Sequence, residues 1–177
     1  MKQDAPLSLH ISVARQCLSV KRGRSTLRSF PISTSKFGLG SEPGSFKTPT
    51  GRFRVAERFG DGLPIDTAFK SRRLLRATTK MLRADDLVMS RILWLDGLQK
   101  GNANSYERFI YIHGTNHEEY LGEPASHGCV RMRKADVAEL FALIPVGTIV
   151  WITPRVLAAG RQKRLRKALR VRVDPPK

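Results

Sequence analysis

The residues best suited to chemistry lie in one short stretch of the sequence, residues 113–131. It contains Cys129 and three of the four histidines of the chain, His113, His117 and His127. A cysteine and a histidine that meet in a fold are the minimal set for nucleophilic catalysis by a thiolate, because the imidazole can remove the thiol proton. The pattern therefore predicts acyl transfer through a thioester intermediate.

The spacing within this stretch provides two candidate bases for the Cys129 thiol. If residues 126–129 are extended, the side chains of His127 and Cys129 point to the same side, because they are two positions apart. His113 ends an apolar run, and the loop of residues 114–125 is long enough to fold it back toward Cys129. One of the two imidazoles is then expected to act as general base.

The residues beside Cys129 suit the same chemistry. Gly128 would let a substrate backbone approach closely, since glycine has no side chain. The backbone N–H groups of Gly128 and Cys129 could stabilise an oxyanion. Arg131, together with a helix predicted to begin soon after Cys129, would lower the pKa of the thiol and favour the thiolate.

Two other interpretations of these residues remain open at the level of sequence. The three histidines and Cys129 could bind zinc, but their spacing matches no closed zinc pattern, so we expect neither a metal nor another cofactor. Cys129 could instead form a disulfide with Cys17, which would remove the nucleophile. We expect Cys17 to be a small buried hydrophobic residue, and His117 to be a polar loop residue.

The elements that must position this stretch are mostly short strands. Alternating apolar residues and turn signals predict strands at residues 7–13, 17–20, 26–32, 52–57, 88–95, 109–113 and 148–152. Within residues 109–113, the side chains of Phe109, Tyr111 and His113 should share one side of the strand. His113 then lies at a strand end, where loops begin and sites are usually assembled.

One helix is predicted at residues 134–143, where apolar residues recur three and four positions apart. The expected fold is therefore a mainly-β domain with one main helix after Cys129 and a basic C-terminal segment. Residues 33–51, rich in Gly and Pro, are expected to form a structural loop bordering a site, because they lack the glycine patterns that bind phosphate. Residues 60–87 fit either a lid over a cleft or ordinary surface structure.

The length and net charge of the chain limit the classes of protein that fit the sequence. The chain has 177 residues, of which 41% are hydrophobic, which suits one domain with a real core. We expect residues 1–154 to form this domain and residues 155–177, with nine Lys or Arg and one Asp, to form a basic extension. The net charge of +17 predicts an anionic partner. No helix-turn-helix, RNA-recognition or zinc-finger pattern accompanies the charge, so nucleic acid is not expected.

The site residues also occur in a familiar order. Residues 113–115, a spacer and residues 126–132, with the sequence SHGCVRM, resemble the signature of the YkuD-type L,D-transpeptidases. Other segments that look like elements of this family are residues 31–35, 47–53, 91–97 and 136–150. The resemblance covers most of the chain and implies a β-rich, sandwich-like catalytic domain.

The resemblance implies a reaction as well as a fold. Cys129 would attack the bond between the L-centre of diaminopimelate and D-alanine in a tetrapeptide stem of peptidoglycan, and D-alanine would leave. His113 would be the general base, oriented by the carbonyl of Gly114. An amine of a neighbouring stem would then resolve the thioester and give a 3–3 cross-link.

The same resemblance implies roles for the residues around the nucleophile. His127, with the backbone of Gly128 and Cys129, would border the oxyanion site. Ser126 and Arg131 would shape the substrate pocket.

Other acceptors and another class of function fit the same residues. With water as acceptor the protein would be an L,D-carboxypeptidase or an amidase, and a lipoprotein lysine is a third acceptor. A non-catalytic module that binds anionic wall polymer is a separate hypothesis based on charge, as is attachment to wall or membrane through residues 155–177. The substrate predicts the bacterial envelope or periplasm, although we expect no signal peptide in residues 1–16 and no run approaches the ~20 apolar residues of a membrane span.

Overall fold

Within residues 5–84 and 86–154, which the computed structural model describes, ten strands form one mixed sheet. The strands are β1 (Leu7–Ser12), β2 (Cys17–Arg22), β3 (Ser25–Ser33), β4 (Gly51–Phe59), β5 (Ala68–Lys70), β6 (Arg73–Leu75), β7 (Val88–Gly97), β8 (Tyr111–Thr115), β9 (Val130–Met132) and β10 (Ile149–Thr153). The helices are α1 (Thr79–Ala84) and α2 (Lys134–Leu143), with short 3-10 turns at Val13–Arg15, Lys100–Ser105 and Glu118–Tyr120. The mainly-β prediction, with one main helix after Cys129, is confirmed.

The sheet closes on itself. The strand order is β4-β10-β1-β2-β3-β9-β8-β7-β5-β6, and β4 also pairs with β7. This second pairing joins the two ends of the run of eight strands from β4 to β7. Each of these eight strands therefore has a neighbour on both sides, and few of their backbone N–H and C=O groups lack a hydrogen-bond partner. The β5–β6 hairpin extends from β7 outside the closed run.

Alternation along the strands builds one main core. Leu9 and Ile11 of β1, for example, are buried together, and so are Leu18 and Val20 of β2. Helix α2 adds Val137, Leu140, Phe141 and, just beyond its last residue, Ile144 to the same cluster. Burial of each large side chain stabilises the fold by roughly 1.5–3 kcal/mol, which is why the helix packs firmly against β7 and β8.

The predicted strand at residues 109–113 is wrong in its bounds, because β8 continues to Thr115 and His113 lies in its middle instead of at its end. Strand β8 begins at Tyr111, and Phe109 has a left-handed backbone with a φ of 57° and a side chain that is 50% exposed. The Phe109 N–H donates to the Tyr106 carbonyl at 3.0 Å, so the chain is still turning there. Phe109 is therefore not part of the alternation that Tyr111 and His113 follow.

The two segments whose sequences favour no regular alternation differ in structure. Residues 34–50, between β3 and β4, contain none of the ten strands, which fits the predicted loop. Residues 60–87 contain the β5–β6 hairpin and α1. The predicted basic extension, residues 155–177, lies outside the described residues. In the part of the chain that the structure describes, no helix combines the length and hydrophobicity needed to cross a membrane.

Candidate active site

Strands β8 and β9 place the candidate residues. The two strands are parallel, with Ile112 opposite Val130 and His113 opposite Arg131. Ile112 and Val130 are fully buried in the main core. Because side chains alternate along a strand, His113 and Arg131 point away from that core, and Cys129, one residue before Val130, points the same way.

A hydrogen bond locates Cys129 relative to β8. The backbone N–H of Tyr111 donates to the Cys129 sulphur at 3.4 Å. Cys129 thus sits beside Tyr111, two positions along the strand from His113 and on the same face. The fold brings together two residues that are 16 positions apart in the sequence.

Burial keeps His113 neutral. Its side chain is 4% exposed, and burial lowers its pKa to about 4, although the hydrogen bond to the Gly114 carbonyl opposes the shift. The distance from the His113 Nδ1 to the Gly114 oxygen is 2.7 Å. A carbonyl can only accept, so Nδ1 carries the proton and donates it, which leaves the Nε2 lone pair free. His113 is therefore prepared to accept a proton at neutral pH.

Cys129 is a protonated thiol in the resting site. Burial raises its pKa to about 11, against the lowering effect of the Tyr111 N–H. The thiol donates to the Phe109 carbonyl at 3.3 Å. The side chain nevertheless retains some exposure to solvent, as a nucleophile requires.

The expectation of a lowered pKa for Cys129 is wrong. Strand β9 separates Cys129 from α2, so the thiol is not at a helix N-terminus. Arg131 does lower the pKa of the thiol, but burial and the carboxylate of Asp86 raise it. The disulfide alternative is wrong as well, because Cys17 and Cys129 are both free thiols.

A braced turn carries Cys129, the candidate nucleophile. The Ser126 side chain is buried, and its hydroxyl donates to the Cys129 carbonyl at 2.6 Å and accepts from the Gly128 N–H at 3.3 Å. Thr48 donates to the Gly128 carbonyl at 2.9 Å. Gly128 has a φ of +118°, which residues with a side chain rarely adopt. Ser126 is therefore placed to support the turn, and the Gly128 N–H is directed inward.

Sequence reasoning did not identify Asp86. Its carboxylate accepts a hydrogen bond from Arg131, whose side chain is only 4% exposed, and lies 3.4 Å from the His127 Nδ1. Ring contacts with Phe37 and Phe46, at 5.6 and 6.2 Å between centroids, hold His127 at the outer rim of the site. A buried guanidinium needs such an anionic partner. The sequence feature that could have indicated Asp86 is the acidic pair at residues 85–86, which follows a basic segment.

The remaining histidines lie elsewhere. The His117 imidazole lies 3.1 Å from a carboxylate oxygen of Glu119, next to the 3-10 turn of residues 118–120. His10 is in β1, 3.2 Å from the Ser8 hydroxyl. Among residues 5–84 and 86–154, no group of three or more His, Cys, Asp or Glu side chains is arranged to hold a metal.

Replacement of Gly114 by alanine should lower the free energy of unfolding by about 1–3 kcal/mol, the usual cost of overpacking. An added Cβ would lie 2.8 Å from the Met89 carbonyl oxygen and 3.1 Å from the Ser90 Cβ, in the bulge of β7. Urea unfolding measures the effect. Gly101→Ala is the matched control, since nothing lies within 4 Å of its added Cβ. Equal stability of the two variants would contradict the crowding at Gly114.

Comparison with protein families gives one match over most of the chain. The model of the L,D-transpeptidase catalytic domain, YkuD, matches residues 7–152. YqjB of Bacillus subtilis, a protein named as an L,D-transpeptidase, is 54% identical over 46 residues, which are 26% of each chain. YkuD of the same organism, named likewise, is 26% identical over 148 residues, 83% of this chain and 66% of that protein.

Solved structures give the same fold. The L,D-transpeptidase of Xylanimonas cellulosilytica matches with a TM-score of 0.56 and 21% identity, over 86% of this chain and 63% of that one. The L,D-transpeptidase of Mycobacterium smegmatis matches with a TM-score of 0.52 and 17% identity, over 84% and 59%. The matches thus span less than two thirds of each of these proteins.

Proposed function

The chain belongs to the family of L,D-transpeptidase catalytic domains, and we propose that it is a cysteine-dependent L,D-transpeptidase acting on tetrapeptide stems of peptidoglycan. One observation carries this proposal. Cys129, directly before β9, and the neutral imidazole of His113, in the adjacent parallel strand β8, lie on the same face of the sheet, with the free Nε2 lone pair of His113 available as a base.

The proposed first half of the reaction forms a thioester. The Cys129 sulphur attacks the carbonyl carbon at the L-centre of diaminopimelate, while His113 takes the thiol proton. The Cys129 N–H and the nearby His127 stabilise the oxyanion. The C–N bond then breaks, and the proton held by His113 passes to the departing amine of D-alanine.

The second half transfers the acyl group. An amine of a neighbouring stem attacks the thioester, and His113 removes a proton from that amine. The C–S bond then breaks, and the proton passes from His113 to the departing sulphur of Cys129. The product is a 3–3 cross-link. Because Cys129 rests as a thiol and His113 as a neutral imidazole, the proton moves during each attack, and His113 works as a general base instead of holding a preformed ion pair.

The setting of the reaction follows from its substrate. Peptidoglycan stems occur in the bacterial envelope, so we place the protein there. The net charge of +17 favours association with an anionic wall. We assign residues 155–177, which hold about half of that excess, the role of binding anionic wall polymer or membrane surface.

Incubation of the purified protein with disaccharide tetrapeptides tests the proposal, with products followed by mass spectrometry. We expect release of D-alanine together with a cross-linked dimer that lacks one D-alanine. A disaccharide tripeptide as the sole product would mean that water is the acceptor, as in an L,D-carboxypeptidase. Unchanged tetrapeptide would contradict the enzymatic function and favour the wall-binding module.

A further inference from the structure

The tip of the β5–β6 hairpin has a backbone that its own sequence does not favour. Lys70 pairs with Arg73, so Ser71 and Arg72 form a two-residue turn. Their φ values are 49° and 65°, both in the left-handed region. Such a turn normally takes Asn and Gly at its two central positions. Contacts beyond the turn are therefore needed to hold it.

The Arg72 side chain supplies these contacts. Its Nη1 donates to the Tyr111 hydroxyl at 3.0 Å. Its guanidinium carbon lies 4.4 Å from the centre of the Trp94 ring and 5.2 Å from that of Phe109. Stacking on aromatic faces and a hydrogen bond to a phenol are favourable for arginine. Arg72 therefore holds the hairpin tip against these three aromatic residues.

Residues that hold Arg72 also contact Cys129, which packs against the cluster that contains Trp94 and Tyr111. The Tyr111 N–H donates to the Cys129 sulphur, and the Phe109 carbonyl accepts from the Cys129 thiol. Trp94 packs edge-on against Tyr111, with 5.5 Å between the ring centres. Tyr111 thus links the two groups, because its hydroxyl accepts from Arg72 and its backbone N–H donates to Cys129.

The positive charge of Arg72 has no described counter-ion. Among residues 5–84 and 86–154, no carboxylate oxygen lies within ion-pair distance of its guanidinium. The carboxylate of Glu57, on neighbouring β4, accepts a hydrogen bond from Tyr106 instead. A half-buried guanidinium offers several N–H donors in a planar array that fits a carboxylate.

We propose that Arg72 is a specificity-determining residue that binds a carboxylate of the donor stem peptide. This inference rests on the proposed function. Two carboxylates lie near the bond that is cleaved, namely the terminal carboxylate of D-alanine and the side-chain carboxylate of diaminopimelate. Either one bound to Arg72 would fix the stem with its scissile carbonyl beside Cys129.

The test combines one enzyme variant with two modified substrates. Turnover is measured for Arg72→Gln and wild type with the tetrapeptide, with its terminal D-alaninamide analogue, and with the analogue amidated on the diaminopimelate side chain. We expect Arg72→Gln to lower kcat/KM for the tetrapeptide by about 10- to 100-fold, the effect of losing a hydrogen bond to a charged group. Amidation of the bound carboxylate should cause the same loss in wild type and little further loss in the variant.

Controls separate this role from a structural one. Arg73→Gln, at the exposed next position of the hairpin, should turn over all three substrates as wild type does. Arg72→Lys, which keeps the charge, should restore part of the lost kcat/KM for the tetrapeptide. The analogue that abolishes the difference between wild type and Arg72→Gln identifies the bound carboxylate.

Two different results would overturn the inference, and only one of them also contradicts the proposed function. If Arg72→Gln loses the same factor with all three substrates, Arg72 serves only to hold the hairpin, while the proposed function stands. If wild type turns over none of the three, the proposed function is wrong and the inference fails with it.

Discussion

Replacement of Cys129 by alanine should lower kcat/KM for D-alanine release from a stem tetrapeptide by about 10⁴-fold or more, the scale of losing a catalytic nucleophile. No other described cysteine can substitute for it. Cys17 lies in β2, and strand β3 separates β2 from β9. Mass spectrometry of the intact protein should show an acyl adduct on wild type during turnover and none on the variant.

Cys17→Ala is the matched control for this variant. It removes the other thiol of the chain at a half-buried position and should leave turnover unchanged. The melting temperatures of both variants show whether the fold is retained. Turnover by Cys129→Ala within a few-fold of wild type would exclude a Cys129 thioester.

Replacement of His113 by glutamine should lower kcat by about 10²- to 10⁴-fold, the usual contribution of a general base. Glutamine retains a donor for the Gly114 carbonyl but lacks a basic lone pair at the position of Nε2. His10→Gln, in β1, is the control and should have little effect, since β8 lies several strands away. Equal rates for the two variants would assign the base elsewhere.

The pH dependence of kcat/KM provides a second test of His113 as the general base. Only the neutral imidazole can accept the thiol proton, so activity is present above the folded-state pKa and is lost as pH falls through it. Because burial lowers that pKa to about 4, the acid limb of kcat/KM should lie well below pH 6.5, the ordinary value for histidine. An acid limb near pH 6.5 would contradict a buried, neutral base.

The same burial links stability to pH. Between the ordinary pKa of histidine and the folded value near 4, the unfolded chain binds more protons at His113, so acid favours unfolding. The resulting decrease in the free energy of unfolding reaches roughly 3 kcal/mol at pH 4 and below. Urea unfolding at pH 7 and pH 4.5 should therefore show a smaller acid-induced loss for His113→Gln than for wild type.

Much of the frame could be predicted from local sequence. Alternating apolar residues identify β1, β2 and β3, and the i, i+3 and i+4 spacing identifies α2 with its observed bounds. These patterns are reliable because each element has one face toward the core. The order of His, Gly, Ser and Cys residues around positions 113 and 129 likewise indicates thiol chemistry from residue type and spacing alone, since those side chains have few other joint uses.

Local patterns were less informative where a contact comes from a distant segment. Strand β8 starts later than its apolar run because the preceding residues turn back on the 3-10 segment of residues 100–105. The closure of the sheet through β4 and β7 has no local signal, because strand pairing depends on the whole arrangement of strands.

The residues 113–131 by themselves determined which groups can do chemistry in this protein, because reactivity is a property of side-chain type. Only the tertiary structure decided their protonation states and their neighbours. The pKa of Cys129 is raised because packing around β8 and β9 excludes water, an effect that no spacing encodes. Asp86, which lies 45 residues before Arg131, binds that arginine, and Arg72 binds the Tyr111 hydroxyl. Pairing across the sheet brings these distant segments together.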